Sequence, residues 1–267
     1  MKAYKGFNKD MTCRGFQYEE GKAYETESAE LCDHGFHACE YPLDCFGYYP
    51  PANSVYREVE LDGVTNEERD DTKRVGTKLT VKGALNIKGL INATFEYIKS
   101  RCANSKIGGD YSALTGGDWS ALSGGKGSAL TGGKCSALVG EDGSALTAGG
   151  WSVLSGGHWS ALVGGTCAVL SGGFKSALIG GFTSVLTGGS KSALISGNKS
   201  ALTGGDSSVI YGGIGSKVRG GLYSVLAIRY YVNHSKVRIA FAEVDGEKIK
   251  ANTWYKLNEQ HEFVEVE

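Results

Sequence analysis

An aliphatic residue recurs every eight positions through the middle of this chain, from Leu114 to Leu226, and no insertion interrupts the fifteen copies. Serine stands two residues before it in every copy except at Ala168, and a glycine pair such as Gly116-Gly117 closes most copies. An eight-residue strand and turn cannot bury its leucine alone, so successive copies must stack. The repeat therefore predicts a mainly β protein built on an octapeptide-repeat β-solenoid over residues 111–226.

The alternation of side chains along a strand predicts how each copy is oriented. Serine and leucine share one face, and leucine must point inward, while the variable residue, the alanine and the threonine share the other face. Two octapeptides make a 16-residue coil with two sheets, whereas three make a triangular coil; the narrow serine and leucine interior favours the first. We expect the glycine pair to supply the positive φ of each corner and the buried serines to form a hydrogen-bonded ladder.

A 16-residue coil would align the variable residues in two outward columns, which are the predicted binding surface. Tryptophan on a surface of small residues is typical of interface anchors. Lysine in the later coils either binds an anion or protects an exposed sheet. The predicted binding residues of the solenoid face are Trp119, Cys135, Trp151, Trp159, Lys175, Lys191 and Lys199.

Charge and composition restrict the partners. The net charge is −1, from 28 basic and 29 acidic residues, so a nucleic-acid partner is not indicated. Seven cysteines without framework spacing favour a reducing compartment, and no apolar stretch is long enough to span a membrane. We therefore expect a cytoplasmic protein that binds no membrane and needs no cofactor.

Three further segments flank the repeat. Residues 1–85 are predicted to form a small α+β domain with a short helix from Pro42 to Tyr49. Residues 86–110 are predicted to form a helical linker that caps the first coil. Residues 227–267 contain a hairpin signal at Asp245-Gly246 and are predicted to form an antiparallel β cap.

The N-terminal segments Tyr4-Lys5-Gly6, Gly35-Phe36-His37-Ala38 and Glu58-Val59-Glu60 resemble the NAD-binding core of ADP-ribosyltransferases. The resemblance implies an NAD cleft formed by Tyr4, His37, Glu58 and Glu60. The catalytic glutamate of that family has no clear equivalent here, because only Glu58 or Glu60 stands near the required place.

A compact cluster of Cys32, His34, His37 and Cys39 offers zinc-ligand chemistry, although its spacing is not a standard one. The alternative interpretation is that buried cysteines lie beside a hydrogen-bonded histidine in the domain core.

Tyr4-Lys5-Gly6-Phe7, the segment from Gly35 to Glu40, the Ser-Ala-Leu-Thr-Gly-Gly array and Thr253-Trp254-Tyr255-Lys256-Leu257 together resemble an uncharacterised family of phage and prophage proteins. The resemblance implies a phage accessory protein acting in the host cytoplasm. The leading prediction is a non-enzymatic protein that binds a host or phage protein through the solenoid, with inhibition of a host defence or nucleic-acid enzyme as one form of it. The alternatives are a homodimer seam on the same face, an NAD-dependent N-terminal enzyme with the solenoid as a targeting arm, and a structural virion component.

Overall fold

The structure, a computed structural model, describes residues 1–65, 71–102, 105–233 and 236–266, except for the side chains of residues 87 and 88. It divides into two compact units, residues 1–97 and 98–267. No helix in these ranges is long and apolar enough to cross a membrane. The predicted mainly β architecture, with a solenoid and an α+β N-terminal domain, is confirmed.

The N-terminal unit is a small antiparallel barrel. Strand β1 (Lys2–Asn8) pairs with β6 (Ser54–Val64), β6 with β7 (Lys73–Leu85), β7 with β5 (Phe36–Cys39), and β5 returns to β1. Ala3, Phe7, Leu61 and Leu79 fill its interior because alternate residues of the strands point inward. Outside this ring, β4 (Ala23–Glu25) pairs with β7, and β2 (Thr12–Cys13) pairs with β3 (Phe16–Gln17).

A short helical segment covers the outside of this barrel where the sequence predicts a helix. It consists of a 3-10 turn, Pro42–Asp44, followed by helix α1 (Cys45–Tyr48). The buried carboxylate of Asp44 accepts hydrogen bonds from the backbone and the hydroxyl of Thr72, at 2.9 and 2.6 Å, which fastens the turn to the start of β7. A longer helix, α2 (Ile87–Arg101), follows β7.

The repeats form a solenoid of two parallel sheets with about 16 residues in each coil, as predicted. Leu130, for example, pairs with Leu114 and Leu146 in neighbouring coils of one sheet. The first sheet contains β9 (Ala113–Thr115), β11 (Ala129–Thr131), β13 (Ala145–Thr147), β15 (Ala161–Val163), β17 (Ala177–Gly180), β19 (Ala193–Ser196), β21 (Val209–Gly212) and β23 (Val225–Asn233). The second contains β8 (Ser105–Ile107), β10 (Ala121–Ser123), β12 (Ala137–Val139), β14 (Val153–Ser155), β16 (Val169–Ser171), β18 (Val185–Thr187), β20 (Ala201–Thr203) and β22 (Lys217–Arg219).

The interior of the solenoid is the predicted column of leucines beside a ladder of serines. The repeat leucines from Leu122 to Leu226 are almost fully buried. The backbone N–H of Ser184 donates to the hydroxyl of Ser200 at 3.1 Å, and the Ser184 hydroxyl donates to the Gly165 carbonyl at 3.3 Å. Most of these hydroxyls donate to a carbonyl of the preceding coil, as Ser200 does to Gly181, whereas Ser128 donates to Gly125 in its own turn. These bonds avoid the ~1–3 kcal/mol cost of an unpaired buried polar group.

The prediction that the glycine pair supplies the positive φ of each corner is wrong. Positive φ lies at the variable residue before each serine instead, as at Trp159 (56°) and Lys191 (58°). The repeat glycines are required for a different reason, which is that neighbouring atoms leave no room for a Cβ at these positions. A Cβ on Gly116 would lie 2.5 Å from the Cβ of Ser120, and one on Gly165 would lie 2.6 Å from the backbone nitrogen of Gly150 in the preceding coil.

The C-terminal end contains two β-hairpins, but neither forms at the predicted Asp245-Gly246 turn. The segment at 249–253 forms no strand, so it does not pair with the strand before it. Strand β24 (Lys236–Glu243) instead pairs with β23 and extends the first sheet. Strands β25 (Trp254–Leu257) and β26 (Phe263–Val266) pair with each other, and β25 also pairs with β22 in the second sheet.

Candidate functional site

A cleft of about 470 Å³ opens in the N-terminal unit where strands β1 and β5 separate. The two antiparallel strands share a single register pair, Tyr4 with Cys39. Beyond it the Lys5 ammonium donates a hydrogen bond to the His37 carbonyl at 2.7 Å, so a side chain stands where backbone pairing would otherwise continue. The volume falls within the ~300–1,000 Å³ range of small-molecule sites. We call this space the N-terminal cleft.

One wall of the N-terminal cleft is aromatic. The rings of Phe16 and Tyr24 lie 5.4 Å apart at 83°, and those of Tyr18 and Tyr24 lie 5.1 Å apart at 67°. Phe36 extends the cluster from β5. Phe16 is about half exposed, so part of this edge-to-face cluster is available to an incoming planar group.

The same cleft carries positive charge from Lys5, Arg14 and Lys73, and Lys5 Nζ lies 5.7 Å from the centroid of the Tyr18 ring. Lys73 Nζ lies 4.5 Å from the centroid of the Tyr48 ring, a cation–π distance. Burial opposes the charge of Lys73, but hydrogen bonds to Cys32 and Tyr48 outweigh it and raise the pKa of the lysine above its ordinary value. The lysine is therefore cationic at neutral pH.

Acidic groups in the lining balance this charge only in part. The lining contains two carboxylates, Glu25 and Asp33. The Glu25 carboxylate is already paired with Lys78 at 2.6 Å, on the far side of β7. The tyrosines add no negative charge, because burial raises the pKa of Tyr18 and burial with the Asp71 carboxylate raises that of Tyr48 to about 12.

His37 is a neutral acceptor in this cleft. Its Nε2 accepts a hydrogen bond from the backbone N–H of Cys32 at 2.9 Å, which is the role of an uncharged imidazole nitrogen. Burial first, and then the charges of Lys5 and Lys73, lower the pKa of His37 to about 4. The histidine therefore holds the loop before β5 in place and does not act as a proton donor at neutral pH.

Of the four residues predicted to form an NAD cleft, the structure brings two together. Tyr4 and His37 both line the N-terminal cleft, but Glu58 and Glu60 do not. Glu58 pairs with Lys2 at 2.8 Å and Glu60 pairs with Lys82 at 2.9 Å. Both glutamates face away because their strand, β6, lies on the other side of β1.

The four predicted zinc candidates do not converge on one point. His37 Nε2 is occupied by Cys32 N–H, His34 bonds to Ser28 at 2.8 Å, and the Cys39 thiol bonds to Cys45. The hydrogen bond to Cys45 and burial raise the pKa of Cys39 well above its ordinary value, so that thiol stays protonated. Within the described ranges, the metal-ligating atoms that do cluster belong to Glu30, Asp33 and His34, all exposed.

The predicted binding residues of the solenoid lie in turns, at the edges of the sheets. Trp159, Lys175 and Lys191 stand before strands of the first sheet and are exposed. The others stand before strands of the second sheet, where Lys199 is exposed and the remaining three are half-buried. Those three are Trp119, Cys135 and Trp151.

A larger surface that the sequence reasoning missed is the outer face of the first sheet, which we call the open sheet face. The strand residues on either side of each inward leucine point outward here, and none of these described positions carries a charge. Val209 is 56 % exposed and Ile195 is 47 % exposed. The matching first positions of the second sheet, from Ala137 to Ala201, are buried. The open sheet face consists of Ala113, Thr115, Ala129, Thr131, Ala145, Thr147, Ala161, Val163, Ala177, Ile179, Ala193, Ile195, Val209, Tyr211, Val225 and Ala227.

The N-terminal barrel and the cleft within it are also the part of the chain with a recognised counterpart. Residues 1–93 match a family model described as a domain of unknown function, DUF7666. The DUF7666 region contains the whole cleft lining, whereas the repeats lie outside the match. Comparison of the chain with curated proteins and with solved structures gave no match.

Proposed function

We propose that this protein acts by binding, and that the N-terminal cleft of its DUF7666 domain takes a small anionic ligand with a planar aromatic group, such as a nucleotide. The observation that supports this is the presence, in the lining of one cleft, of an aromatic cluster and a set of three cations. Aromatic side chains stack on planar rings, and lysine and arginine are the usual phosphate ligands.

The chemistry of the cleft favours binding over catalysis. Glu58 and Glu60 are held in ion pairs outside the lining, so the carboxylate expected from the ADP-ribosyltransferase resemblance does not reach the ligand space. His37 is neutral and already accepts a backbone hydrogen bond. NAD remains a candidate ligand because it contains both an aromatic ring and phosphates.

Calorimetric titration of the full chain tests this proposal, using ADP, adenosine, pyrophosphate and NAD as probes. ADP is expected to bind more tightly than adenosine, which lacks the phosphates, or pyrophosphate, which lacks the aromatic ring. Arg14→Gln and Lys73→Gln should each weaken ADP binding about tenfold, the value of one charge-assisted contact. Phe16→Ala should weaken ADP and adenosine but leave pyrophosphate unchanged.

The matched control is Lys82→Gln, which removes a lysine from the outside of the same barrel. This lysine pairs with Glu60 and does not line the cleft, so its loss should not change ADP binding. Failure of every probe to bind, or equal weakening by Lys82→Gln, would contradict the proposal. Consumption of NAD would instead favour the enzymatic alternative.

A second function, protein docking through the solenoid, is supported by the open sheet face. An exposed and uncharged surface of this length is typical of interaction sites, because monomeric proteins rarely leave such patches uncovered. Affinity capture from a bacterial lysate, comparing wild type with Ala161→Lys, tests this function. A specific partner that Ala161→Lys loses would support it. A host defence enzyme or a phage protein as that partner, and a role in a virion, stay predictions.

A further inference from the structure

The open sheet face is bordered by charges whose order along the solenoid is informative. The eight repeat strands of this face, β9 to β23, begin at one common edge, and the two residues before each serine lie along that edge. Strand β24 extends the sheet beyond β23 and is not part of the open sheet face. Acidic residues at this edge occur in the first, third and seventh strands, at Asp110, Asp142 and Asp206. Lysine residues at this edge occur in the second, fifth and sixth strands, at Lys126, Lys175 and Lys191, so the order of charges differs when it is followed from either end.

We infer that two copies of this chain pair through their open sheet faces, with the solenoids antiparallel and the two-fold axis parallel to the strands. The inference rests on the docking function proposed above and names its partner. In this arrangement the strand starts of both copies lie at the same edge, and the first strand of one copy faces the eighth of the other. Such a contact is isologous, so each pair of facing residues occurs twice.

The charges at the edge are complementary in this arrangement. Lys126 of the second strand faces Asp206 of the seventh, and Asp142 of the third faces Lys191 of the sixth. All but Asp142, which is half-buried, are exposed in the single chain. Opposite charges that face each other across an interface fix its register and exclude wrong pairings.

The aromatic residues of the edge also meet suitable partners in this arrangement. Trp159 of the fourth strand faces Lys175 of the fifth, which places a lysine against an indole ring. Tyr111 of the first strand faces Tyr223 of the eighth. The three aromatic side chains are 83 %, 58 % and 68 % exposed at Tyr111, Trp159 and Tyr223, far more than a monomer needs to leave uncovered.

A parallel arrangement would place like charges together. There the edge where strands begin would meet the edge where they end, coil by coil. Asp110 would face Asp118, and Lys126 would face Lys134. Like charges at an interface are strongly unfavourable, so this alternative is excluded by the charge pattern.

A shift of the antiparallel arrangement by one strand is also unfavourable. In one direction Asp142 would face Asp206. In the other, Asp110 would face Asp206 and Lys126 would face Lys191. Only the centred register brings opposite charges together at both positions.

The packing of the two faces agrees with the centred register. The larger residues of the later strands face the smaller residues of the earlier ones, as Tyr211 faces Thr131 and Val209 faces Ala129. At the centre, Ala161 faces Ala177. Two facing sheets pack about 10 Å apart, and alternation of large and small residues lets their side chains interdigitate.

The size of the face places the predicted contact at the small end of specific interfaces. Eight strands at ~4.8 Å spacing and three residues at ~3.3 Å each give roughly 400 Å² in projection for one copy. Two copies contribute roughly 800 Å², and the aromatic edge brings the total towards the ~1,200 Å² at which specific interfaces begin. The predicted dimer is therefore moderate in affinity.

Sedimentation velocity of the full chain, over a range of concentrations, tests the dimer and its register. Wild type should sediment as a dimer, and Ala161→Lys should be monomeric because it buries two uncompensated charges. Asp142→Lys and Lys191→Asp should each weaken association at least tenfold. The double variant should restore it, because both contacts are then reversed.

The design includes controls for charge and for folding. Lysine already occupies the position of Asp142 in other copies, at Lys126 and Lys134, so the turn accommodates it. Asp142→Lys also removes the hydrogen bond that the Asp142 carboxylate accepts from the His158 N–H at 2.8 Å, and this loss is common to the single and the double variant. Glu259→Lys makes a similar reversal of charge in the exposed turn between β25 and β26 and should leave association unchanged. Circular dichroism of each variant confirms that the solenoid is folded.

Monomeric wild type, or a dimer indifferent to Ala161→Lys, would overturn the inference. A dimer that Ala161→Lys dissociates but the double variant does not rescue would overturn the register. Monomeric wild type whose captured partner is lost in Ala161→Lys would overturn the dimer and leave the docking proposal intact. The two proposals can therefore fail separately.

Discussion

At the scale of single residues, the lack of a side chain at Gly6 allows Tyr49 to pack closely against strand β1. A Cβ at this position would lie 2.5 Å from the Cβ of Tyr49, which itself lines the cleft. Gly6→Ala should therefore lower the free energy of unfolding by about 1–3 kcal/mol, the usual cost of overpacking. Urea unfolding measures the change. Gly47→Ala is the control, because nothing lies within 4 Å of its added Cβ, and it should leave the stability equal or slightly higher.

His37 makes the stability of the N-terminal unit sensitive to acid. Its pKa is lowered from 6.5 to about 4 in the folded state, so between these values the unfolded chain binds a proton that the folded chain does not. The free energy of unfolding should fall as the pH drops through this window and stay constant above it. Urea unfolding at neutral and at mildly acidic pH should give a smaller pH difference for His37→Gln than for wild type.

The control for this prediction is Gln17→Ala in strand β3, which removes a side chain that does not titrate. Its pH difference should equal that of wild type. Equal pH differences for His37→Gln and wild type would contradict the assignment of the acid sensitivity to His37.

At the scale of the elements, the turns of the solenoid hold many side chains in an unfavourable backbone conformation. Lys199 has a φ of 56°, in the left-handed region that costs a non-glycine residue roughly 1–2 kcal/mol. Lys199→Gly should therefore raise the free energy of unfolding by about 1 kcal/mol. Glycine already stands in this position at Gly127, Gly143 and Gly215.

Lys134→Gly is the matched control, because Lys134 lies in a similar exposed turn without a positive φ. Glycine there adds only flexibility to the unfolded chain and should lower stability by roughly 0.5–1 kcal/mol. A gain in both variants, or in neither, would show that the turn conformation does not decide the effect.

The sequence could predict the coils of the solenoid but not the conformation of its turns. The eight-residue period determines the coil, the leucine column and the serine ladder, because each depends on contacts between neighbouring copies of one motif. The period does not reveal which turn residue takes positive φ, since that depends on the approach of glycine backbones between coils, as at Gly165 and Gly150.

The cleft was predictable only in part for a different reason. Tyr4 and His37, two of the residues predicted to form an NAD cleft, both line the N-terminal cleft, whereas Lys5, Arg14 and Lys73 come from three segments without a common motif. The pairing of β5 with β7 brings Lys73 beside Cys39, and no local pattern in the sequence indicates that these two strands pair. The placement of Glu58 and Glu60 outside the cleft follows from the order of strands in the barrel.

At the scale of the whole molecule, a dimer makes stability depend on concentration. The folded dimer is favoured by mass action, so the unfolding midpoint of wild type should rise when the protein concentration is raised tenfold. Differential scanning calorimetry at the two concentrations measures this shift. Ala161→Lys should show no shift, and a shift of equal size in this variant would point to association through another surface.

The pairing of residues sixteen positions apart, as Ala129 with Ala145, also sets how such a chain can change in length during evolution. Loss of one octapeptide would carry every later residue to the opposite sheet and exchange the surfaces of the two sides. Loss of two would remove a coil, shorten the stack by ~4.8 Å and keep each column intact. The fold is therefore kept only when octapeptides are lost or gained in even numbers. A homologue with one coil fewer would also need its edge charges at new positions in order to form the proposed dimer.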